Sequence, residues 1–432
     1  MVDMSATLLH HGHVRLLQKA SEYGDVIIGL TSDDEILYKK GYSPELLFDE
    51  RKEVLESIKY VKEVVETPWL IDESVLDEHD IDLLVHGDDN SNLISKERLL
   101  VFPRTKGISS SELRYKAQES ILSQENQKLM LTPGPASILP DNLKGIVPVF
   151  GRGDETYQNM YSDVEKWILN LSGQDELVCM QGSSTLALEL SAKTFLYGRV
   201  LLINTGYYSE RLGTFVDGSV CDLDVIEYED MDNVTESYDW VLCAYTETST
   251  AFKVNLTKVR EKSNALGAKL YIDATGSIGL EDLHELADLM AFSSCKGLFG
   301  LTGAAFIAHK SMLNEKKQDN FYFNVDTHRN KSVTGPYHAI ASLHSIIQSH
   351  SMLRERVRSS KSLFMSAYSK YIESSDNQPL LCSYVKGKVS AVDDNVVLYQ
   401  PRSNLPGSVV CHLGEIFSER VNMIERISVE DL

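Results

Sequence analysis

Short apolar runs recur along this chain in two separate series, each alternating with stretches of helical spacing. That alternation confines the fold to α/β architectures. In the first series, Val26-Ile27-Ile28-Gly29-Leu30 closes in Thr31-Ser32-Asp33, and Ile81-Asp82-Leu83-Leu84-Val85-His86 closes in Gly87-Asp88-Asp89-Asn90. Val14 to Ala20 and Arg51 to Val61 place their apolar residues on one helical face. Strand, loop, helix and strand within about 110 residues is the pattern of a small doubly wound parallel sheet, whose ligand lies beyond the carboxyl ends of the strands. The second series runs from 177 to 310, with strands expected at Val200–Ile203, Trp240–Ala244, Lys269–Ile272 and Leu289–Phe292.

Between the two series, residues 112–128 are polar and free of Gly and Pro, which reads as a terminal helix running into a linker. Leu131-Thr132-Pro133-Gly134-Pro135 then opens new structure, and residues beyond 340 are patterned as a small α+β cap. The expected organisation is a first domain over 1–115, a linker over 116–128, a larger α/β domain over 129–340 and a small subdomain over 341–432. A chain of 432 residues is long enough for two or three domains.

The net charge of −21 leaves no surplus of Lys and Arg for a general nucleic-acid binder, although local cations and backbone N–H groups suffice for small phosphorylated ligands. Met1-Val2-Asp3-Met4-Ser5 opens no signal peptide, and no apolar run is long enough to span a bilayer. Six cysteines, none in a Cys-x-x-Cys pair, read as scattered thiols of a cytoplasmic protein, with no zinc site.

Two motif sets carry chemistry. The first is His10-His11-Gly12-His13 together with Arg104 to Ser111. The glycine is expected to let the backbone turn tightly, so that His10 and His13, one turn apart, face one phosphate. Their N–H groups suit charge that develops during in-line attack at phosphorus. Arg104, with Ser109 and Ser110 at a helix start, is an anion cradle. The second set is Asp273, ending an apolar run, and Lys296, after Phe292-Ser293-Ser294-Cys295. A desolvated lysine beside a glycine has room for a flat ring and can attack a carbonyl, and an acid such as Asp273 can pair with a protonated pyridine nitrogen. Gly182-Ser183-Ser184-Thr185, opening a helix after a strand, is a phosphate seat.

Over residues 1–115 the chain resembles the cytidylyltransferase family of nucleotidyltransferases, near the glycerol-phosphate cytidylyltransferases and the domains attached to phosphoenolpyruvate phosphomutases. The likeness rests on Met4-Ser5-Ala6, Tyr23 to Leu30, His86-Gly87-Asp88-Asp89 and Thr105 to Ser110. It implies a small Rossmann-like domain that uses CTP with Mg²⁺. By the same resemblance His10 and His13 stabilise the transition state, Lys39, Arg51 and Arg104 contact phosphates, and Ser109 and Ser110 face the triphosphate. Members usually carry an acid three positions before the first histidine, where this chain has Thr7. A domain that binds nucleotide without turning it over is the alternative.

From about 127 to 350 the chain resembles the class V, fold type I aminotransferases, and within them the 2-aminoethylphosphonate–pyruvate transaminases. Here the supporting strings are Leu131 to Pro135, Gln181 to Ser184, Tyr245 to Thr250, Asp273-Ala274 and Ser293 to Gly297. The resemblance implies pyridoxal 5′-phosphate held covalently by Lys296, with Asp273 on the pyridine nitrogen, Tyr208 stacked on the ring and Thr248 at the phenolic oxygen. Gly182, Ser183, Ser184 and Thr185 seat the phosphate, and Thr334 reaches the phosphate of a neighbouring subunit, implying a homodimer. Small phosphonates and amino acids are the implied substrates, or another small phosphorylated or carboxylate compound. The family's anion-binding Arg-x-Gly aligns with His412-Leu413-Gly414; His412 offers a weaker contact, with Arg152 or Arg402 as alternatives. Cys295, Cys382 and Cys411 read as structural thiols, since no Gly- and Ser-rich mobile loop surrounds Cys382 or Cys411.

Overall fold

A computed structural model describes residues 1–125, 128–144, 150–372 other than Arg152, 377–414 and 423–431. The chain forms two compact units, Met1–Gln124 and Glu125–Leu432. The stretch expected to run from helix into linker begins as a helix, Ser110–Glu125. Among the described residues no helix is long and apolar enough to cross a membrane.

The first unit is a five-stranded parallel sheet of β1 (Val2–Met4), β2 (Val26–Thr31), β3 (Val61–Thr67), β4 (Leu84–Gly87) and β5 (Leu99–Phe102), in the order β3-β2-β1-β4-β5. Both outer strands lay outside the expected set. On β3 the charged Lys62, Glu63 and Glu66 face solvent and break the apolar run by which a central strand such as β2 is recognised. The helical stretch expected to reach Val61 ends at Glu56, and Val61 starts β3. Strand order reverses between β1 and β4, the crevice position where doubly wound sheets bind ligands.

In the second unit, β6 (Leu129–Leu131) pairs in parallel with a strand near the C-terminus, described below. A seven-stranded sheet then comprises β7 (Glu176–Gln181), β8 (Gly198–Asn204), β9 (Cys221–Glu227), β10 (Trp240–Ala244), a hairpin of β11 (Thr246–Glu247) with β12 (Phe252–Lys253) outside the sheet, β13 (Lys269–Asp273), β14 (Leu289–Ser293) and β15 (Ala304–His309). Its order is β7-β15-β14-β13-β10-β8-β9, parallel throughout except β15, which runs against both neighbours. Every residue of β10, β14 and β15 is buried. Full burial of one Leu, Ile or Val contributes roughly 1.5–3 kcal/mol, which fixes these strands at the centre of two apolar layers. The small subdomain contains the helix His350–Ala367 and three strand pairs, β16 (Cys382–Val385) with β19 (Ser408–Cys411), β17 (Gly387–Ala391) with β20 (Ile427–Asp431), and β18 (Val396–Leu398) with β6. Residues 129–131 therefore belong by pairing to the subdomain whose other strands lie beyond 381.

Candidate functional sites

The first-unit site begins with an unusual helix start. His10 is extended (φ −145°, ψ 169°) and precedes the helix His11–Ala20. The Gly12 N–H donates to His10 Nδ1 (3.2 Å) and the His10 N–H donates to His13 Nδ1 (3.3 Å). Two imidazoles thus replace the Ser/Thr and Glu pair that reciprocally caps many helices. The rings stack 3.9 Å apart at 28°. With each Nδ1 accepting, a neutral ring carries its proton on Nε2, so two N–H donors remain for a ligand. Burial pushes the His13 pKa down to about 3, aided by His10, Lys40 and Arg104, and burial likewise lowers that of His10. The pair is neutral near pH 7, and positive charge in the cleft comes from Arg15, Lys19, Lys40, Arg104 and Arg114, of which Arg104 pairs with Asp89.

This cleft of about 720 Å³ takes in residues after the carboxyl ends of β1, β4 and β5. Ser109 and Ser110 line it, but their hydroxyls have protein partners: Ser109 Oγ accepts from the Glu112 N–H (3.1 Å) and Ser110 Oγ donates to Leu8 O (3.2 Å). What the stretch offers an anion is Arg104 and the backbone N–H groups of the first helical turn.

Three expectations need correction. Lys39 is exposed, over the Tyr38 ring, whereas Lys40 lines the cleft and donates to Ser5 Oγ (2.9 Å). Arg51 is 1% exposed and consumed by the fold: it donates to Leu46 O, Ser5 O and Thr31 O and pairs with Asp33 at 2.6 Å. It braces the loop after β1 and does not line the cleft. Gly12 lies inside the helix without a left-handed φ; a Cβ there would come within 2.9 Å of the His10 ring, so the glycine makes room for the imidazole. Thr7, where the family's acid was expected, is buried and accepts from Arg114 (3.1 Å). Arg114, which also pairs with Glu45 and packs over Tyr42, had not been singled out.

The second-unit site gathers at the carboxyl ends of parallel strands. Gly182 follows β7, Tyr208 follows β8, Thr248 follows β10, Asp273 ends β13 and Lys296 follows β14. Asp273 is buried, and its Oδ1 accepts from the Thr275 N–H (2.8 Å). The Lys296 ammonium lies 5.8 Å from the Tyr208 ring centre. Room beside Lys296 comes from Gly134 (φ +125°), where a Cβ would meet the lysine's Cγ at 2.9 Å. Gly297, expected to provide it, instead packs against the backbone at Ile278, where a Cβ would lie 2.2 Å from the carbonyl oxygen. Ser183 precedes the helix Ser184–Phe195 without a side-chain capping bond, leaving the N–H groups of that helix start open around Ser184 and Thr185.

Glu247 had not been singled out, although it sits in the same string as Thr248. Its buried carboxylate accepts from the N–H groups of Tyr208 (3.0 Å), Ser209 (3.0 Å) and Ser249 (3.1 Å) and from Ser249 Oγ. It thereby holds the start of the helix Tyr207–Gly213 and with it the Tyr208 ring; burial pushes its pKa up, against those hydrogen bonds. The structure does not bring His412 to this site. Its Nε2 is 2.9 Å from Ser383 Oγ and its ring lies 5.2 Å from Phe364, while Cys411, one residue earlier, packs with Ala136 and Phe299. Arg402 donates to Tyr207 OH (2.8 Å), beside Tyr208. Thr334 is exposed, and Arg152 lies outside the described residues.

The cytidylyltransferase-like family matches residues 7–116. Glycerol-3-phosphate cytidylyltransferase of Bacillus subtilis (strain 168) is 35% identical over 112 residues, covering 25% of this chain and 87% of that protein. By its first unit, the chain belongs to the cytidylyltransferase-like family. The rest of it is similar to the 2-aminoethylphosphonate–pyruvate transaminase of Pseudomonas fluorescens, 25% identical over 250 residues, 51% of this chain and 68% of the relative. In fold it resembles an alanine–glyoxylate aminotransferase from Nostoc sp., with a TM-score of 0.58 and 15% identity over 69% of this chain and 94% of that one. The chain joins a cytidylyltransferase-like domain to an aminotransferase domain, a fusion of two transferases.

C-terminal in sequence to the cytidylyltransferase-like domain, the aminotransferase domain fits pyridoxal phosphate on its own geometry. Thr248 and Thr275 each bury an Oγ1 that meets no partner among the described residues, the phosphate-seat helix is open, and the cradle beside Lys296 exists because Gly134 has no Cβ. All six cysteines are free thiols, and burial pushes that of Cys179 up and that of Cys243 up to about 12. Raised thiols of this kind suit a core and not a nucleophile.

Proposed function

We propose that the protein is a cytoplasmic homodimer that makes and then activates an aminophosphonate. The aminotransferase domain converts phosphonoacetaldehyde to 2-aminoethylphosphonate, taking the amino group from alanine or another amino acid. The cytidylyltransferase-like domain then uses CTP, with the Mg²⁺ that CTP carries, to cytidylylate the phosphonate.

One observation carries the reading. A cleft with two neutral imidazole donors stands on the same chain as a cofactor site whose curated relative bears 2-aminoethylphosphonate in its name. A phosphonate left by the aminotransferase domain is a competent oxygen nucleophile for the cytidylyltransferase-like domain.

In the first cleft a phosphonate oxygen attacks the α-phosphorus of CTP and the bond to pyrophosphate breaks. The phosphonate is already ionised, so no proton has to be removed. Nε2–H of His10 and His13 donate to the oxygens where charge accumulates, and Lys40 with Arg104 balances the triphosphate. In the second site pyridoxal phosphate, when bound, serves as the electron sink and carrier of the amino group. Lys296 Nζ would carry the proton from the amino donor's Cα to the cofactor's C4′ and, in the second half of the exchange, from C4′ to the carbon of the aldehyde acceptor. Asp273 would pair with the pyridine nitrogen, and Glu247 would keep Tyr208 against the ring. Thr334 reaches the partner subunit's cofactor phosphate.

Incubation with CTP, Mg²⁺ and 2-aminoethylphosphonate, assayed for pyrophosphate, tests the first half; no release while aminotransfer proceeds overturns it. A second reading, favoured by Thr7 in place of an acid, keeps an aminotransferase for another small phosphorylated or carboxylate substrate and makes the first domain a nucleotide-binding module without turnover. Under it, His13→Ala leaves all measurable chemistry unchanged.

A further inference from the structure

A buried imidazole at one end of the seven-stranded sheet takes part in neither proposed reaction. His309 closes β15 and pairs in register with Glu176, the first residue of the edge strand β7. Its side chain is 1% exposed, and its ring lies 4.9 Å from that of Phe195. Nδ1 is 3.0 Å from Lys310 O; a carbonyl only accepts, so this nitrogen carries a hydrogen. Nε2 is buried and meets no hydrogen-bond partner among the described residues. It faces two carboxylates instead, Glu176 Oε2 at 3.7 Å and Glu315 Oε1 at 3.6 Å. A charge-assisted N–H···O bond would close to about 2.7–2.9 Å, so neither contact is a formed ion pair.

Charge around this corner is unbalanced in the same sense. Arg329 pairs with Glu315 and with Asp326 (2.9 Å) and stands 3.8 Å from Glu176, so one guanidinium serves three carboxylates. The adjacent Lys310 and Lys316 do not add to it, since they donate to Gly173 O and Leu196 O. One imidazole nitrogen and two carboxylate oxygens, all within 4.8 Å of one another, are a ligand set for a small divalent cation. Tetrahedral ligation at about 2.0–2.1 Å puts ligand atoms roughly 3.3 Å apart, so both gaps to Nε2 need close by only tenths of an ångström. The outer partners that orient metal ligands are also present: Lys310 O fixes the imidazole, and Arg329 holds Glu315.

We propose that His309, Glu176 and Glu315 form a structural site for a divalent transition-metal ion, Zn²⁺ by its ligand types, with water completing the shell. An imidazole among the ligands favours such an ion over Mg²⁺, which prefers oxygen and keeps its waters. Through Glu315 the ion pins the segment after β15 to the edge strand and its neighbour. It takes no part in aminotransfer: Glu176 and the phosphate seat at Gly182 stand at opposite ends of β7, roughly 20 Å apart along the strand. Cysteine spacing, from which no zinc site was expected, is silent on it, because its ligands meet only through the β7–β15 pairing. The site is independent of what either domain takes as substrate.

The test strips the full-length protein with a chelator, then titrates it with Zn²⁺ and separately with Mg²⁺. Bound metal per chain and the midpoint of thermal unfolding are the readouts. Wild type should bind one equivalent of Zn²⁺ more than His309→Gln does, and its midpoint should rise with Zn²⁺ and not with Mg²⁺. Losing even an outer partner costs a metal site about 10–100-fold in affinity, so Glu176→Gln and Glu315→Gln should each weaken that equivalent at least tenfold. Circular dichroism checks that the variants are folded; if the buried His309→Gln is not, the two glutamate variants decide. Equal Zn²⁺ binding by wild type and the glutamate variants places the metal elsewhere and overturns the proposal. A wild type that takes up no Zn²⁺ overturns it too, and an equal response to Mg²⁺ overturns the class of ion.

Discussion

The two sites use the same topological position, the carboxyl ends of parallel strands, and build on it in opposite ways. In the first unit the groups proposed to react are local: His10 and His13 lie within four residues and together cap one helix. In the second they are dispersed over the ends of β7, β8, β10, β13 and β14, from Gly182 to Lys296, and only the closed sheet brings them together. The difference teaches where each site is vulnerable. Damage to the first comes through a few contacts at one loop. Damage to the second comes from losing the lysine proposed as its covalent anchor, while the dispersed remainder persists as a fold.

The largest expected effect follows directly. Lys296→Ala should lower aminotransfer by about 10⁴-fold or more and erase the visible absorbance of the lysine-bound cofactor, while pyrophosphate release from CTP continues. A spectrum that keeps its visible band would break the contrast. Next comes His13→Ala, expected to cost cytidylyl transfer about 10²–10³-fold through one lost transition-state donor, with aminotransfer untouched. Paired assays on one preparation check both.

What the sequence disclosed divides along the same line. The α/β alternation and the central strands were legible because β10, β13 and β14 are unbroken apolar runs, and the motif residues stand in chain order at strand ends. The outer strands β3 and β9 were not, because their solvent faces carry Lys, Glu and Asp and erase the run. Side-chain direction was not legible either. Gly12 and Gly297 were read as local turn and ring space, but their missing Cβ atoms serve the His10 ring and the Ile278 carbonyl. His412 and Cys411 differ by one residue and face opposite sides of the subdomain, which no spacing rule states in advance.

Arg51 separates bracing from binding. Arg51→Met should destabilise the first unit by about 3 kcal/mol, leaving Asp33 and three carbonyl oxygens without their donor, yet leave KM for CTP unchanged in the molecules that remain folded. A raised KM with unchanged stability would restore it as a phosphate ligand. A smaller effect concerns pH. His13 falls from 6.5 to about 3 on folding, so between those values the unfolded chain holds the extra proton. Stability from this group is present above 6.5 and is lost as pH falls through the window. Hydrogen exchange of the helix His11–Ala20 should show that slope, and His13→Gln should flatten it. The acid limb of the cytidylyl-transfer profile should not move with His13, which is already neutral there.

The smallest effect distinguishes two adjacent lysines. Lys40 stands at Ser5 inside the cleft and helps to depress the His13 pKa, whereas Lys39 points to solvent over Tyr38. One charge-assisted contact to a triphosphate is worth about 1.5 kcal/mol, so Lys40→Ala should raise KM for CTP roughly tenfold. Lys39→Ala should stay within about 0.5 kcal/mol of wild type in stability and leave KM unchanged, as surface substitutions away from special features do. Measuring both against ionic strength sharpens the result, because a contact within the cleft is screened less by salt than a charge facing bulk water. If the two variants behave alike, the helix Asp33–Lys40 presents its last turn to the nucleotide differently from the arrangement described, and the cationic end of the cleft must be sought at Arg104 and Arg114.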